Sequence, residues 1–287
     1  MYYGLIIISV IMFGLCFFFN DEYRKLKGSS IKISLGFSFV GSVAGFIVLA
    51  LANGLNIEFT PFTFIMALLS AINGLGFTFC AFKALNHINL SLYSLFSMLG
   101  GMAIPFLQGI VFYGEKITFA KVICFILICI ALLLTVKKGE KKNGTIYYIG
   151  IFVLNGLSGF LSKIFASAPF EKASPEGYTM LTSLCTVALS GLILLIFFRN
   201  KGDEKKDSPL TLGISALSGI TNRIANLMLV AALAHVDASV QYPMVTGGVM
   251  IVSTLICFFG SIKPSKKEIL SIVIAFIGML ALFAIPV

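Results

Sequence analysis

LSAINGLGFTFCAFKALNHINLSLYSLFSMLG, residues 69–100, recurs in altered form as LSGITNRIANLMLVAALAHVDASVQYPMVTGG, residues 217–248. A shift of 148 positions aligns the two stretches without a gap and places His87 on His235. Few residues are identical, but the shift is the same over the whole stretch. The chain is therefore interpreted as two related halves, each contributing equivalent apolar segments to one bundle.

The composition is that of a membrane protein. The 287 residues are 58% hydrophobic and 11% charged, with a mean hydropathy of +1.01. So little polar surface cannot cover a soluble globule. Apolar runs of about 18 residues or more are long enough to cross roughly 30 Å of hydrocarbon as helices. The sequence predicts an all-α polytopic membrane bundle.

Neither nucleic-acid binding nor catalysis is indicated. The net charge of +9 comes mostly from basic residues between the apolar runs, without an aromatic-lined basic groove. No nucleophile elbow, phosphate-binding loop, zinc-protease motif or metal-spaced Cys/His set occurs. We therefore expect no enzyme activity, cofactor or metal. The cysteines fall inside apolar runs without CxxC spacing and are predicted to act as small hydrophobes. They are Cys16, Cys80, Cys124, Cys129, Cys185 and Cys257.

Ten apolar runs can be marked, five in each half. They are 2–19, 33–53, 61–85, 90–113, 117–136, 146–168, 176–198, 210–234, 238–261 and 267–286. The very short gaps at 86–89 and 235–237 occupy equivalent places and predict a tight helical hairpin in each half. Because five is odd, the second half enters the membrane from the opposite side. The expected architecture is ten transmembrane helices in two inverted five-helix repeats, residues 1–140 and 141–287.

Lysine and arginine are distributed unequally between the two sides of this bundle. The gaps after runs one, five, seven and nine hold most of them, and the other side holds only Lys116, Lys121 and Lys172. Basic loops remain cytoplasmic. With ten helices, both termini are expected outside.

Two short motifs carry a family resemblance. AFKALNHINLS at 81–91 and YGEKIT at 113–118, the latter leading directly into another apolar helix, resemble the first-repeat signature of the EamA-like branch of the drug/metabolite transporter superfamily. In the second half SIKP at 261–264 replaces the Gly-Glu motif, and the termini-outside orientation differs from the family arrangement. The resemblance implies a ten-helix secondary transporter that moves small metabolites by alternating access.

Arg223 is the sharpest functional candidate. A charge at a helix centre costs about 2.5–3.5 kcal/mol on insertion scales, so such residues mark functional sites. Arg223 lies mid-run on a polar stripe with Ser215, Ser218, Asn222 and Asn226, spaced by three or four residues. The guanidinium suits a carboxylate or phosphate. The alternative is a structural tether to backbone carbonyls.

Further residues are predicted to contact a substrate or to have local structural roles. Asn73 lies beside the position equivalent to Asn222. Lys83 and Lys163 lie near helix ends, where their side chains can also reach water. His87 and His235 are interpreted as helix caps rather than pH sensors. Glu115 is expected to be structural and to bind the N-terminus of a neighbouring helix. The predicted substrate-binding set is Arg223, Asn226, Asn222, Asn73, Tyr93, Gln241, Tyr242 and Lys83.

The expected function is transport of a small organic metabolite with an anionic group, such as an amino acid or organic acid, across a bacterial plasma membrane. The negative charge expected on the substrate follows from the sequence, because the only charge deep within a predicted helix is positive and no acid lies near a helix centre. The alternatives are broad-specificity efflux of amphipathic compounds and a non-transporting, lipid-handling subunit. The expected partners are the substrate and the bilayer; a proton or sodium ion could couple transport.

Overall fold

The computed structural model describes residues 2–54, 56–84, 90–134, 145–198, 207–259 and 266–284, and all regular secondary structure in these ranges is helical. The helices of this described part are α1 (Tyr2–Lys27), α2 (Ile31–Ala52), α3 (Pro61–Ala84), α4 (Leu90–Tyr113), α5 (Phe119–Leu134), α6 (Thr145–Ser167), α7 (Pro175–Phe197), α8 (Pro209–Leu233), α9 (Ala238–Phe259) and α10 (Lys266–Ala284). Six of them, α1, α2, α3, α6, α7 and α8, are long and apolar enough to cross a membrane.

The helix bounds agree with the predicted runs to within a few residues, except at α1. The expectation that the first helix ends with the apolar run 2–19 is wrong, because α1 continues through the polar residues that follow. Asp21 pairs with Arg24 at 2.8 Å and with Lys25 at 2.7 Å, one turn away along the helix. Gly28, with a φ of 92°, then ends the helix in the left-handed conformation that glycine adopts without strain.

Helices from the two halves of the chain pack against each other. α1 lies on α8 and α9, and α6 lies on α3 and α4; α2 lies on α7 and α8, and α3 lies on α6 and α7. α4 also contacts α9, and α5 packs on α10. α4 and α9 continue as helices through Pro105 and Pro243. The predicted linker around residue 141 and the hairpin 86–89 lie outside the described residues.

The two ends of the bundle are named by the residues that lie there. At the end where α1 begins, called the Tyr2 end, the ring of Tyr2 stacks on His235 in the α8–α9 turn, with centroids 4.0 Å apart. At the same end Glu58, before α3, accepts a hydrogen bond from the backbone N–H of Ser174, before α7. The opposite end, called the basic end, contains the last turn of α1 with its three basic residues.

Candidate functional site

A cavity of about 250 Å³ lies at the centre of the bundle and is lined by α1, α2, α3, α4, α6, α7, α8 and α9. Near the basic end its lining includes Asn20 and Thr78, whose side chains are partly exposed. Toward the Tyr2 end it is bounded by Tyr178 and Tyr242, each only 5% exposed. The cavity is therefore more accessible from the basic end.

Arg223 lies on this cavity with most of its hydrogen-bonding capacity unused. Its Nη2 donates to Ser42 Oγ at 3.0 Å and to Thr186 Oγ1 at 3.2 Å. Among the described residues, Nε and Nη1 have no protein acceptor and no carboxylate pairs with the guanidinium. The described cavity lining contains no Asp, Glu or Lys. Because a guanidinium presents five N–H donors, the cavity carries an uncompensated positive charge with free donors.

Two glycines in α2 make room for Arg223 and its helix. An added Cβ at Gly219 would overlap the carbonyl of Gly41, so α2 and α8 cross with their backbones in contact. One turn further along α2, a Cβ at Gly45 would lie 2.5 Å from Cγ of Arg223 and 3.1 Å from the carbonyl oxygen of Gly219. The stem of Arg223 therefore rests on the bare backbone of α2, which fixes where its guanidinium points.

Hydrogen bonds within α7 orient the hydroxyl of Thr186 so that its oxygen can accept from Arg223. Thr179, Thr182, Ser183, Thr186 and Ser190 each donate to the carbonyl four residues earlier. The hydroxyl proton of Thr186 is therefore engaged by its own helix, and its oxygen faces the guanidinium as an acceptor. Sequence reasoning missed this residue, although hydroxyls spaced by three or four residues along α7 were visible in the sequence.

Four other predicted residues also line the cavity. They are Asn73, Asn222, Asn226 and Tyr242. Asn226 Nδ2 donates to the backbone oxygen of Asn222 at 2.8 Å, and the Tyr242 hydroxyl donates to the backbone oxygen of Gly159 at 2.8 Å. Ser215, at the start of the predicted stripe, instead is buried against α2 and donates to Phe37.

Two of the remaining three predicted residues, Gln241 and Lys83, lie outside this group. Gln241 is fully buried and donates to the backbone oxygen of Leu229 at 2.8 Å, so its side chain faces α8 and not the cavity. Lys83 lies in the last turn of α3 and is outside the cavity lining. The side chain of Tyr93 lies outside the described residues.

Asn155 and Ser158 were not predicted, yet both line the cavity. Asn155 Nδ2 donates to the backbone oxygen of Ser97 at 2.6 Å, which ties α6 to α4. Asn155, Ser158 and Ser162 recur at helical spacing along α6, so the sequence contained a signal for this polar face. This face carries no charged residue, which makes its signal weaker than that of Arg223.

Glu115 is structural, as expected, and holds the N-terminus of α9. Its carboxylate accepts the backbone N–H groups of Ala238 and Ser239, both at 2.9 Å. Lys163 lies 3.2 Å away and is only 8% exposed, so it does not reach water as the sequence suggested. Burial alone would raise the pKa of Glu115, but the hydrogen bonds from Ser239 and Ala238 and the charge of Lys163 outweigh it and lower that pKa.

Comparisons with known proteins define the fold but not the family. No protein-family model and no curated protein matches the chain. Solved structures do match: one of 29 matching chains has a TM-score of 0.72, is 18% identical in sequence and is described only as the crystal structure of a protein. The alignment covers 96% of this chain and 94% of that one. The similarity therefore concerns essentially the whole fold and is silent on function.

Proposed function

We propose that the protein is a secondary transporter that moves a small organic metabolite with an anionic group across the plasma membrane. The observation that carries this proposal is Arg223, whose unpaired guanidinium lies on a central cavity without any described acid. In a partly desolvated site a planar guanidinium binds carboxylate or phosphate through two parallel hydrogen bonds. Ser42 and Thr186 take up both hydrogens of Nη2, so the donors left for a ligand are Nε–H and the two N–H groups of Nη1. The two-bond geometry forms when one hydrogen of Nη2 turns from its hydroxyl partner to the ligand.

The size of the cavity supports a small metabolite over broad-specificity efflux. Sites for drug-sized ligands occupy roughly 300–1,000 Å³. The cavity here measures about 250 Å³, and its lining mixes phenylalanines with asparagine, serine and threonine side chains. A compact polar anion matches this space and its hydrogen-bonding groups better than a large amphipathic compound does.

The packing supports an arrangement of ten membrane-spanning helices in two inverted repeats. Exchanging each helix of the first five with its counterpart in the second five converts the α1–α8 contact into α6–α3, and the α2–α8 contact into α7–α3. The α2–α7, α4–α9 and α5–α10 contacts map onto themselves. This symmetry is that of many secondary transporters. Together with the sequence motifs it supports assignment to the EamA-like branch of the drug/metabolite transporters.

The excess of basic residues at the basic end supports a cytoplasmic position for that end. The cavity is more accessible there, and at the Tyr2 end the rings of Phe165 and Tyr178 stack with centroids 4.1 Å apart. In alternating access this conformation corresponds to the cytoplasm-facing state. Transport then requires separation of the contacts at the Tyr2 end and closure of the cavity at the basic end.

Flux into proteoliposomes tests the proposal. The purified protein is reconstituted and given a panel of radiolabelled carboxylates, amino acids and phosphorylated metabolites. Arg223→Ala should abolish most flux of the transported compound, and Arg223→Lys should restore little, because an ammonium is a point charge and not a fork. Arg24→Ala is the matched control, since it removes a guanidinium from the end of α1 and leaves the cavity unchanged.

Two results would count against the proposal. Unchanged flux in a folded Arg223→Ala protein, with only its melting temperature lowered, would make Arg223 a structural tether. Absence of flux for every anion of the panel would favour a non-transporting membrane subunit.

A further inference from the structure

We infer that the cavity contains a second subsite, formed by the amide oxygens of Asn73 and Asn155, which binds a hydrogen-bond donor on the ligand. This inference rests on the proposed function and narrows its substrate class. The ligand then carries an anionic group for Arg223 and, in addition, a hydroxyl or ammonium group. Simple carboxylates that lack a donor would be poor ligands.

The orientation of both amides is fixed by their neighbours. Asn73 Nδ2 donates to the backbone oxygen of Leu154 at 2.9 Å. Asn155 Nδ2 donates to the backbone oxygen of Ser97 at 2.6 Å and to its hydroxyl at 3.1 Å. A backbone carbonyl can only accept, so each amide must turn its NH₂ group toward it. The oxygen of each amide is thereby left as an acceptor.

These oxygens have no donor within the described part of the protein. Asn73 is 5% exposed, and its Oδ1 is buried without a hydrogen-bond partner. Asn155 Oδ1 likewise accepts no hydrogen bond from a described residue. Most buried polar side-chain atoms are hydrogen-bonded, so an orphaned acceptor at a cavity wall indicates a group that is completed by a ligand or by water.

The two asparagines are neighbours on one wall of the cavity. Asn73 on α3 binds the carbonyl of the residue that precedes Asn155 on α6, and both residues line the cavity. Arg223 lies on α8 and is held by α2 and α7 through Ser42 and Thr186. Donors without a protein partner are thus supplied by α8, and amide oxygens without a protein partner by residues of α3 and α6 that line the same cavity. Such a polarity suits a ligand with an acceptor at one position and a donor at another.

Binding of matched carboxylates to the purified protein tests the subsite. The probes are acetate, glycolate and glycine; propionate, lactate and alanine; and hexanoate with its α-hydroxy and α-amino forms. In the wild type, the members with a donor should bind more tightly than the plain acid by about 2- to 10-fold per hydrogen bond. Comparison of the hydroxy with the amino members identifies which donor the subsite prefers.

Two variants assign the preference to the asparagines. Asn73→Leu and Asn155→Leu remove the acceptors while keeping the branched shape and the number of side-chain heavy atoms, and they should bring the donor-bearing and plain acids to similar affinities. Gln108→Met is the matched control, because the Gln108 amide also donates to an α6 carbonyl and has an orphaned oxygen, but it does not line the cavity. It should retain the preference even if its melting temperature falls.

The outcomes separate this inference from the proposed function. Arg223-dependent binding in which plain acids bind as tightly as their hydroxy and amino forms would overturn the subsite and leave the anion site standing. A donor preference that persists in both leucine variants would also overturn it. Loss of all carboxylate binding in the wild type would overturn the proposed function and the subsite together.

Discussion

Gly45→Ala should weaken anion binding although residue 45 provides no ligand-binding side chain. The new methyl group would lie 2.5 Å from Cγ of Arg223 and 3.1 Å from the carbonyl oxygen of Gly219. The backbone oxygen cannot move alone, and Cγ lies in the stem of the arginine, so the whole side chain must shift. Overpacking of this kind costs about 1–3 kcal/mol. The shift also disturbs the hydrogen bonds to Ser42 and Thr186 at 3.0 and 3.2 Å.

The size of the effect on binding follows from the displaced guanidinium. Loss of one charge-assisted hydrogen bond to the ligand costs about 1.5–3 kcal/mol, which is about 10- to 150-fold in affinity. Gly36→Ala on the same helix is the control, since an added Cβ there meets nothing within 4 Å. Both changes gain about 0.8–1.0 kcal/mol of helix propensity, so comparing them isolates the contact with Arg223.

Isothermal titration in detergent, with the best carboxylate of the panel, measures the two affinities. Circular dichroism melts of the same samples report stability. The expected result is weaker binding by Gly45→Ala and unchanged binding by Gly36→Ala. If the two variants bind equally well, the position of Arg223 does not depend on the α2–α8 crossing, and the reasoning fails.

Three further predictions test the Glu115–Lys163 pair, the α2–α8 crossing and the orientation in the membrane. Glu115→Gln should lower the free energy of unfolding by about 3–5 kcal/mol in thermal melts, because it leaves a buried lysine unpaired. The folded pKa of Glu115 is depressed below 4.5, so the greater stability of the wild type should persist above that pH. It should be lost only as the pH falls through the folded pKa. Gly219→Ala should lower the free energy of unfolding by about 1–3 kcal/mol or prevent folding. Gly213→Ala should do neither, because an added Cβ there meets nothing within 4 Å. Expression levels and thermal melts of the two variants measure the difference. Single cysteines at Lys141 and Lys205 in a cysteine-free background should resist an impermeant thiol reagent applied outside; labelling of both would reverse the orientation.

The helices and the polar face of α8 could be predicted because each depends on local sequence. An apolar run long enough to span a bilayer is helical whatever surrounds it, since no other conformation satisfies its backbone there. The stripe through Ser218, Asn222 and Asn226 recurs at helical spacing, and those residues do line the cavity with Arg223. The Gly-Glu motif likewise identified Glu115 as a group that holds the start of another helix.

What could not be predicted depends on rotation and on partners distant in sequence. Gln241 and Tyr242 are adjacent, and in a helix with about 3.6 residues per turn neighbouring side chains point about 100° apart, so only Tyr242 faces the cavity. Nothing in an apolar run fixes that rotation. The position of Lys163 near a helix end predicts a side chain that can reach water, whereas its partner Glu115 lies in the connection between α4 and α5, distant in sequence. Ser42 and Thr186 meet Arg223 only through packing of α2 and α7 on α8.

In the proposed transporter, a single charge is sufficient to bind the anion because the two halves supply different groups to the cavity. Under the shift that aligns the halves, Arg223 falls on Leu75 and Asn73 falls on Thr221, so the halves present different chemistry at related positions. In the proposed arrangement the anion is bound by α8 of the second half, and one donor-binding oxygen is supplied by α3 of the first. A ligand held at both positions stabilises only those conformations in which the two groups are a ligand's length apart. A ligand can shift a conformational equilibrium only through such a difference in affinity between states. Binding through Arg223 alone would lack this dependence on the relative position of the halves, which gives the asparagine oxygens a role in coupling as well as in selectivity.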